Sequence, residues 1–163
     1  MTLKGLDERL TAPDVLPAYI ANTLGLSTDA VYAGKTTKNP RSRVDVAIVW
    51  NGPERLARGG GDQVWVHQHI LVMSADVNAG PKGAGTAANK AMSTRAALLI
   101  AALDGQRPFF ESMPDVKHHR CEPTGTNDNT EGGAGRLEVR MTLWTFTQGT
   151  GTQDIADTFG GGP

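Results

Sequence analysis

The chain has 163 residues, enough for one domain that buries about 70% of the surface its unfolded form exposes, so it needs no staples to hold a core. Its 16 Lys and Arg against 17 Asp and Glu leave a formal charge of −1, without the basic excess of a dedicated nucleic-acid binder. The single cysteine, Cys121, excludes an intramolecular disulfide framework. The first residues lack a secretory apolar run, and Ala96 to Leu103 is far short of the roughly 20 residues a bilayer takes; these features predict a protein of the reducing cytosol with no membrane partner.

Residues 1–13 read as an N-terminal arm of a single 1–163 domain. Asp14 is a fitting N-cap for a helix from Val15 to Leu24, with Pro17 in its first turn and Gly25 closing it. Leu16, Tyr19, Ile20, Thr23 and Leu24 form its apolar stripe. A short strand is expected over Ala30 to Ala33. Val44 to Trp50 reads as a central strand, ended by Asn51-Gly52-Pro53.

Gln63 to Met73 comes next as a long strand. Its Val64, Val66, Gln68, Ile70, Val72 face reads as core, and its Trp65, His67, His69, Leu71, Met73 face is mixed. Thr86 caps a helix from Ala87 to Leu103, with Ala88, Met92, Ala96, Leu99 and Leu103 on one side and Lys90, Ser93 and Thr94 on the other. Val116 to Glu122 is a further strand, and the Gly-, Asn- and Asp-rich stretch Glu122 to Gly135 reads as a long loop.

The closing strand, Arg136 to Thr147, alternates most cleanly. Leu137, Val139, Met141 and Leu143 take one face, and Arg136, Glu138, Arg140 and Thr142 the other. At Trp144 and Phe146 the apolar residues change parity, which predicts a bulge or a switch from core to partner contact. Residues 148–163 read as a flexible C-terminal tail with Ile155 and Phe159 as isolated anchors. The order predicts an α+β fold: a mostly antiparallel mixed sheet of four to five strands with two helices packed on one face.

Chemistry is sparse. The loop Gly80 to Thr86 is glycine-rich before a helix, but Gly85 stands where a phosphate-binding loop places its lysine, and Lys82 comes too early. His67 with His69, and His119 with Cys121, could together hold zinc only if their strands were neighbours; otherwise they are polar positions on a sheet's outer face. Cys121 and His119 are two apart on one strand, without the separately placed base and oxyanion donors that covalent catalysis needs. Asp45 is expected on the second sheet surface, paired with a base. No catalytic residue, metal ligand or cofactor is assigned. Lys35, Lys38, Arg41 and Arg43 form a basic segment that reads first as a solvated face or a partner for a neighbouring subunit's acids, and only second as a phosphate contact.

The stretches LPAYIANTLGL, VDVAIVWNGPE, QVWVHQHILVM, STRAALLIAALDG and RLEVRMTLWTF, in that order, resemble the tail terminator (tail-completion) proteins of long-tailed bacteriophages. The resemblance spans most of Asp14 to Thr147 and rests on element order and texture. It implies a structural virion protein, not an enzyme. Such a protein forms a homohexameric ring that caps the tail tube protein's polymer, stops elongation and offers the docking surface for the head–tail connector or stopper protein. DNA would transit the lumen without specific binding, and the protein would sit at the head-proximal end of the virion's tail after assembly in the host cytoplasm. Candidate interface or lumen residues are Lys35, Lys38, Arg41, Arg43, His67, His69, Trp144 and Phe146. The Gln63–Met73 strand and the Glu122–Gly135 loop, lacking evident partners within the domain, are expected to make inter-subunit or tube contacts. The alternatives are another neck or tail-tube component, or a small metal- or nucleotide-binding enzyme.

Overall fold

Long stretches of period-two polarity build a single sheet, in a computed structural model that describes residues 6–34, 44–59, 62–78, 84–104, 108–114, 116–129 and 134–150. The elements are α1 (Leu6–Thr11), α2 (Leu16–Leu24), β1 (Val31–Ala33), β2 (Asp45–Gly59), β3 (Asp62–Asn78), α3 (Ala84–Asp104), α4 (Pro108–Glu111), β4 (Val116–Asn129) and β5 (Ala134–Thr150). The strands form one sheet ordered β1-β2-β3-β5-β4. β1 runs parallel to β2, and the other pairs are antiparallel. The fold is thus α+β with a mostly antiparallel mixed sheet, as the sequence predicts. No described helix is long and apolar enough to cross a membrane.

Strand pairing dictates which side chains share a face, because residues directly opposite each other point the same way. Val46 and Ile48 of β2 lie level with Met73 and Leu71 of β3, which lie level with Val139 and Met141 of β5. This face carries the core. It packs against Leu6 and Leu10 of α1, Leu16, Ile20 and Leu24 of α2, and Met92, Leu99 and Leu103 of α3. The alternation foreseen in the closing strand therefore sets the layer boundary, and the α3 stripe meets it while Lys90, Ser93 and Thr94 stay exposed.

Several local expectations are corrected. The N-terminal arm contains α1, whose Leu6 and Leu10 are fully buried: two leucines four apart give a one-turn helix an apolar edge to dock. Asp14 is exposed and caps nothing; Val15 holds the N-cap position without a side-chain hydrogen bond. Thr86 lies inside α3, which begins at Ala84. Asn51-Gly52-Pro53 does not end β2. The register slips there and again between Arg55 and Ala57, so Gly and Pro are taken up by bulges rather than a turn. Glu122 to Gly135 is mostly paired strand, since β4 runs to Asn129 and β5 starts at Ala134. β5 itself continues to Thr150, which places Gln148 to Thr150 in the ladder rather than in a tail.

The close of α2 agrees with expectation. Gly25 sits at φ 64°, the N–H of Leu26 donates to the Ala21 carbonyl at 2.8 Å, and that of Gly25 to Asn22 at 3.4 Å. This pair of bonds satisfies two carbonyls left open at the helix end. A Cβ at Gly25 would meet nothing within 4 Å, so a side chain there costs only the left-handed backbone. Gly25→Ala is expected to lower stability by about 1 kcal/mol, read from the urea midpoint with an unchanged denaturant slope.

Candidate functional site

The helix-covered face holds every residue of the proposed zinc group, and the strand order separates them. His69, Leu143 and Cys121 lie level across β3, β5 and β4, and His67, Thr145 and His119 lie level one step along. β5 thus stands between the two pairs, with their backbones two strand spacings, about 10 Å, apart. Among the described residues no group of three His, Cys, Asp or Glu side chains is placed to hold a metal.

These histidines are also not on an outer face. The mixed face of β3 is the buried one: His67 is 2% exposed and His69 0%. Partners distant in sequence make this burial tolerable. His67 Nε2 lies 2.9 Å from Thr147 Oγ1, and His69 Nε2 lies 2.7 Å from Asp7 Oδ1 on α1. His119 stacks on Phe110 at a centroid distance of 4.1 Å, in a row of rings that runs through Phe109 to Tyr19. Tyr19 donates its hydroxyl to the Ala102 carbonyl, so this row joins α2, α3, α4 and β4. His67 and His69 are therefore removed from the candidate interface; they tie α1 and β5 to β3.

Cys121 is buried in the same core. Its backbone N–H donates to Asp104 Oδ1 at 3.0 Å. Burial, with Asp104 and then Glu122 nearby, pushes its thiol up from 9.0 to about 12. A thiol held in that state is a poor nucleophile. A recess of about 180 Å³ lined by Phe110, Glu111, Val116, Lys117 and His119 falls below the range of about 300–1,000 Å³ usual for small-molecule sites.

The opposite face carries a different surface, and none of its residues belongs to the helix-side core cluster. Its rows run from β2 or β3 to β4: Val66, Phe146 and His118; then Gln68, Trp144 and Arg120; then Val49, Ile70, Thr142 and Glu122; then Ala47, Val72, Arg140 and Gly125. Ala47, Val66 and Val72 are buried, while Val49, Val64, Ile70, Trp144 and Phe146 are half-buried. The parity switch at Trp144 and Phe146 needs no bulge, because the β3–β5 register is unbroken from Asp62–Thr150 to Asn78–Ala134. Those two aromatics simply join the helix-free face.

Four of the charges on this face are paired locally. Arg120 lies 4.5 Å above the Trp144 ring and 3.0 Å from Glu122, and Arg140 lies 3.3 Å from Glu138. His118 packs on Phe146 at 5.3 Å, and Asn51 donates to Gln68 at 3.3 Å. Pairs of this kind add at most about 1 kcal/mol each to folding, but they hold Arg120, Glu122, Arg140 and Glu138 within the face. Asp45 lies on this face as expected, level with Ser74 and Glu138. Arg120 and His118 carry no signal of their own in the sequence. Their alternation with His119 and Cys121 is visible there, but the β5–β4 register that sets them beside Trp144 and Phe146 is not.

Lys35, Lys38, Arg41 and Arg43 lie outside the described residues. The reading of Gln63–Met73 as unpartnered strand is overturned, since β3 pairs with β5 along its full length and with β2 along most of it. No protein-family model matches this chain, and no curated protein does.

Two consequences are measurable. Asp7→Ala leaves His69 buried without its carboxylate partner and is expected to cost about 1–2 kcal/mol in urea unfolding, whereas Glu8→Ala, at an exposed neighbour, stays within about 0.5 kcal/mol. The raised Cys121 thiol means that the folded chain holds its proton where the unfolded chain has released it. This contribution to stability is therefore complete below about pH 9 and lost as pH rises toward about 12. Unfolding free energies of the native chain and of Cys121→Val between pH 8 and pH 11 should converge on the alkaline side, and the native thiol should resist alkylation at pH 8 until urea is added.

Proposed function

We propose that this chain is a bacteriophage tail terminator: a structural subunit that closes into a ring on the head-proximal end of the tail tube, stops its growth and presents the docking surface for the connector. The observation that carries the reading is the helix-free face. A sheet whose β3 and β5 each span 17 residues presents Trp144, Phe146, Ile70 and Val49 half-buried beside the pairs Arg120–Glu122 and Arg140–Glu138. Catalysis asks for convergent titratable groups; adhesion asks for an apolar, aromatic-bearing patch whose polar groups are satisfied before the partner arrives. The order of helix, two long strands, packing helix and closing strand pair agrees with the resemblance. The near-neutral net charge suits a lumen through which DNA slides without being held, because each phosphate neutralised adds affinity.

In this reading Trp144 and Phe146 are interface residues and Lys35, Lys38, Arg41 and Arg43 remain candidates for subunit or lumen contact. A terminator differs from a tube subunit in closing one ring rather than stacking into open-ended tubes. Light scattering after size exclusion, with negative-stain microscopy, should give a single ring species for the purified chain. Trp144→Asp with Phe146→Asp should yield monomers of unchanged circular dichroism. Strictly monomeric native chain at high concentration, alone and with tail tubes, would defeat the proposal.

A further inference from the structure

Strand β2 holds a chemically labile dipeptide at the point where its pairing slips. Of the chain's asparagines, only Asn51 is followed by glycine. A glycine nitrogen has no neighbouring Cβ to shield it, so it can close on the side-chain amide carbon of the residue before it. The fold decides whether such a pair is locked away. Regular strand holds its backbone in the ladder and points successive groups apart.

That protection is interrupted here. Trp50 pairs with His69 and Pro53 with His67, so Asn51 and Gly52 together oppose the single residue Gln68. Such a bulge leaves its extra residue outside the ladder and bends the strand locally. Pro53, next along, has no N–H to give. On the other side the β1 pairing ends at Ala33 with Ile48, so no described strand flanks Asn51 there. Asn51 is exposed, and its amide donates to Gln68 Oε1 at 3.3 Å, a long neutral bond that restrains it little.

We propose that Asn51 is a site of spontaneous deamidation, with water as the co-reactant. The Gly52 nitrogen gives its proton to solvent base and bonds to Asn51 Cγ. The Cγ–Nδ2 bond then breaks, and Nδ2 leaves as ammonia. Water opens the resulting five-membered imide at either carbonyl, giving aspartate or an isoaspartate whose backbone is longer by one methylene. One amide and one water become one carboxylate and one ammonia, and nothing is oxidised or reduced. Either product removes the donor that meets Gln68 and adds a negative charge at the β2 end of the row holding Trp144 and Arg120. The helix-free face thereby turns more acidic as the subunit ages, and none of this chemistry requires a ring.

The test incubates the full-length chain at 37 °C and pH 8.5 in H₂¹⁸O, then digests it with trypsin. Cleavage after Arg43 and Arg55 yields peptide 44–55, in which Asn51 is the single asparagine. Expected are incorporation of one ¹⁸O atom, fragmentation showing isoaspartate in excess of aspartate, and conversion at least tenfold faster than at the exposed helical Asn22 and Asn89. The rate in the folded chain should stay within tenfold of that in the same chain unfolded in guanidinium. A larger gap means that the ladder shields the pair and overturns the proposal, as does a smaller lead over Asn22 and Asn89. Gly52→Ala should slow conversion at least tenfold with unchanged circular dichroism, and a folded variant that reacts at the native rate sinks the imide route.

Discussion

The pairing of β3 with β5 is the constraint on which the remaining structure depends. It runs through 17 residues of each strand without a register shift, and β3 and β5 are the strands with a neighbour on both sides along most of their length. A slip of one residue would carry Leu137, Val139, Met141 and Leu143 out of the core and send Arg140 and Glu138 into it. Nothing comparable fixes β2 or β4, whose bulges absorb local mismatches. The helices dock onto a surface that β3 and β5 define, and the helix-free face inherits whatever their alternate positions carry.

That inheritance explains which parts are legible in sequence. The alternation from Arg136 to Thr142 and the α3 stripe are short-range signals, and both hold in the structure. The histidine face of β3 is not legible, because burial of His67 and His69 depends on Thr147 and Asp7, 80 and 62 residues away. Polarity alone points to the valine face as core, and tertiary partners reverse the choice. Glu122 to Asn129 misleads for the opposite reason. Its Pro, Gly, Asn and Asp disfavour strands locally, yet pairing with β5 carries β4 through with a bulge between Pro123 and Gly125. At the candidate site, Trp144 and Phe146 announce themselves by parity, whereas their neighbours Arg120 and His118 require the strand order.

The edges of the sheet bear on how copies could meet. A bare strand edge invites another chain to add to it, and both edges here carry obstacles. On β4, the Cys121 N–H is taken by Asp104 from the end of α3, Pro123 two residues on has no N–H to offer, and the bulge at Gly125 re-aims the rest of the strand. On the other side, β1 covers β2 at Val46 to Ile48, Gly34 closes that ladder with a 2.8 Å bond to the Ile48 carbonyl, and the length of β2 beyond it is broken by two register shifts around Pro53. A continuous sheet running from subunit to subunit would need two clean edges in matching register. This chain has neither among its described residues, while its helix-free face carries half-buried aliphatic and aromatic side chains across four strands. Association through side chains on that face demands no backbone hydrogen bonds from a partner and leaves the β3–β5 ladder undisturbed.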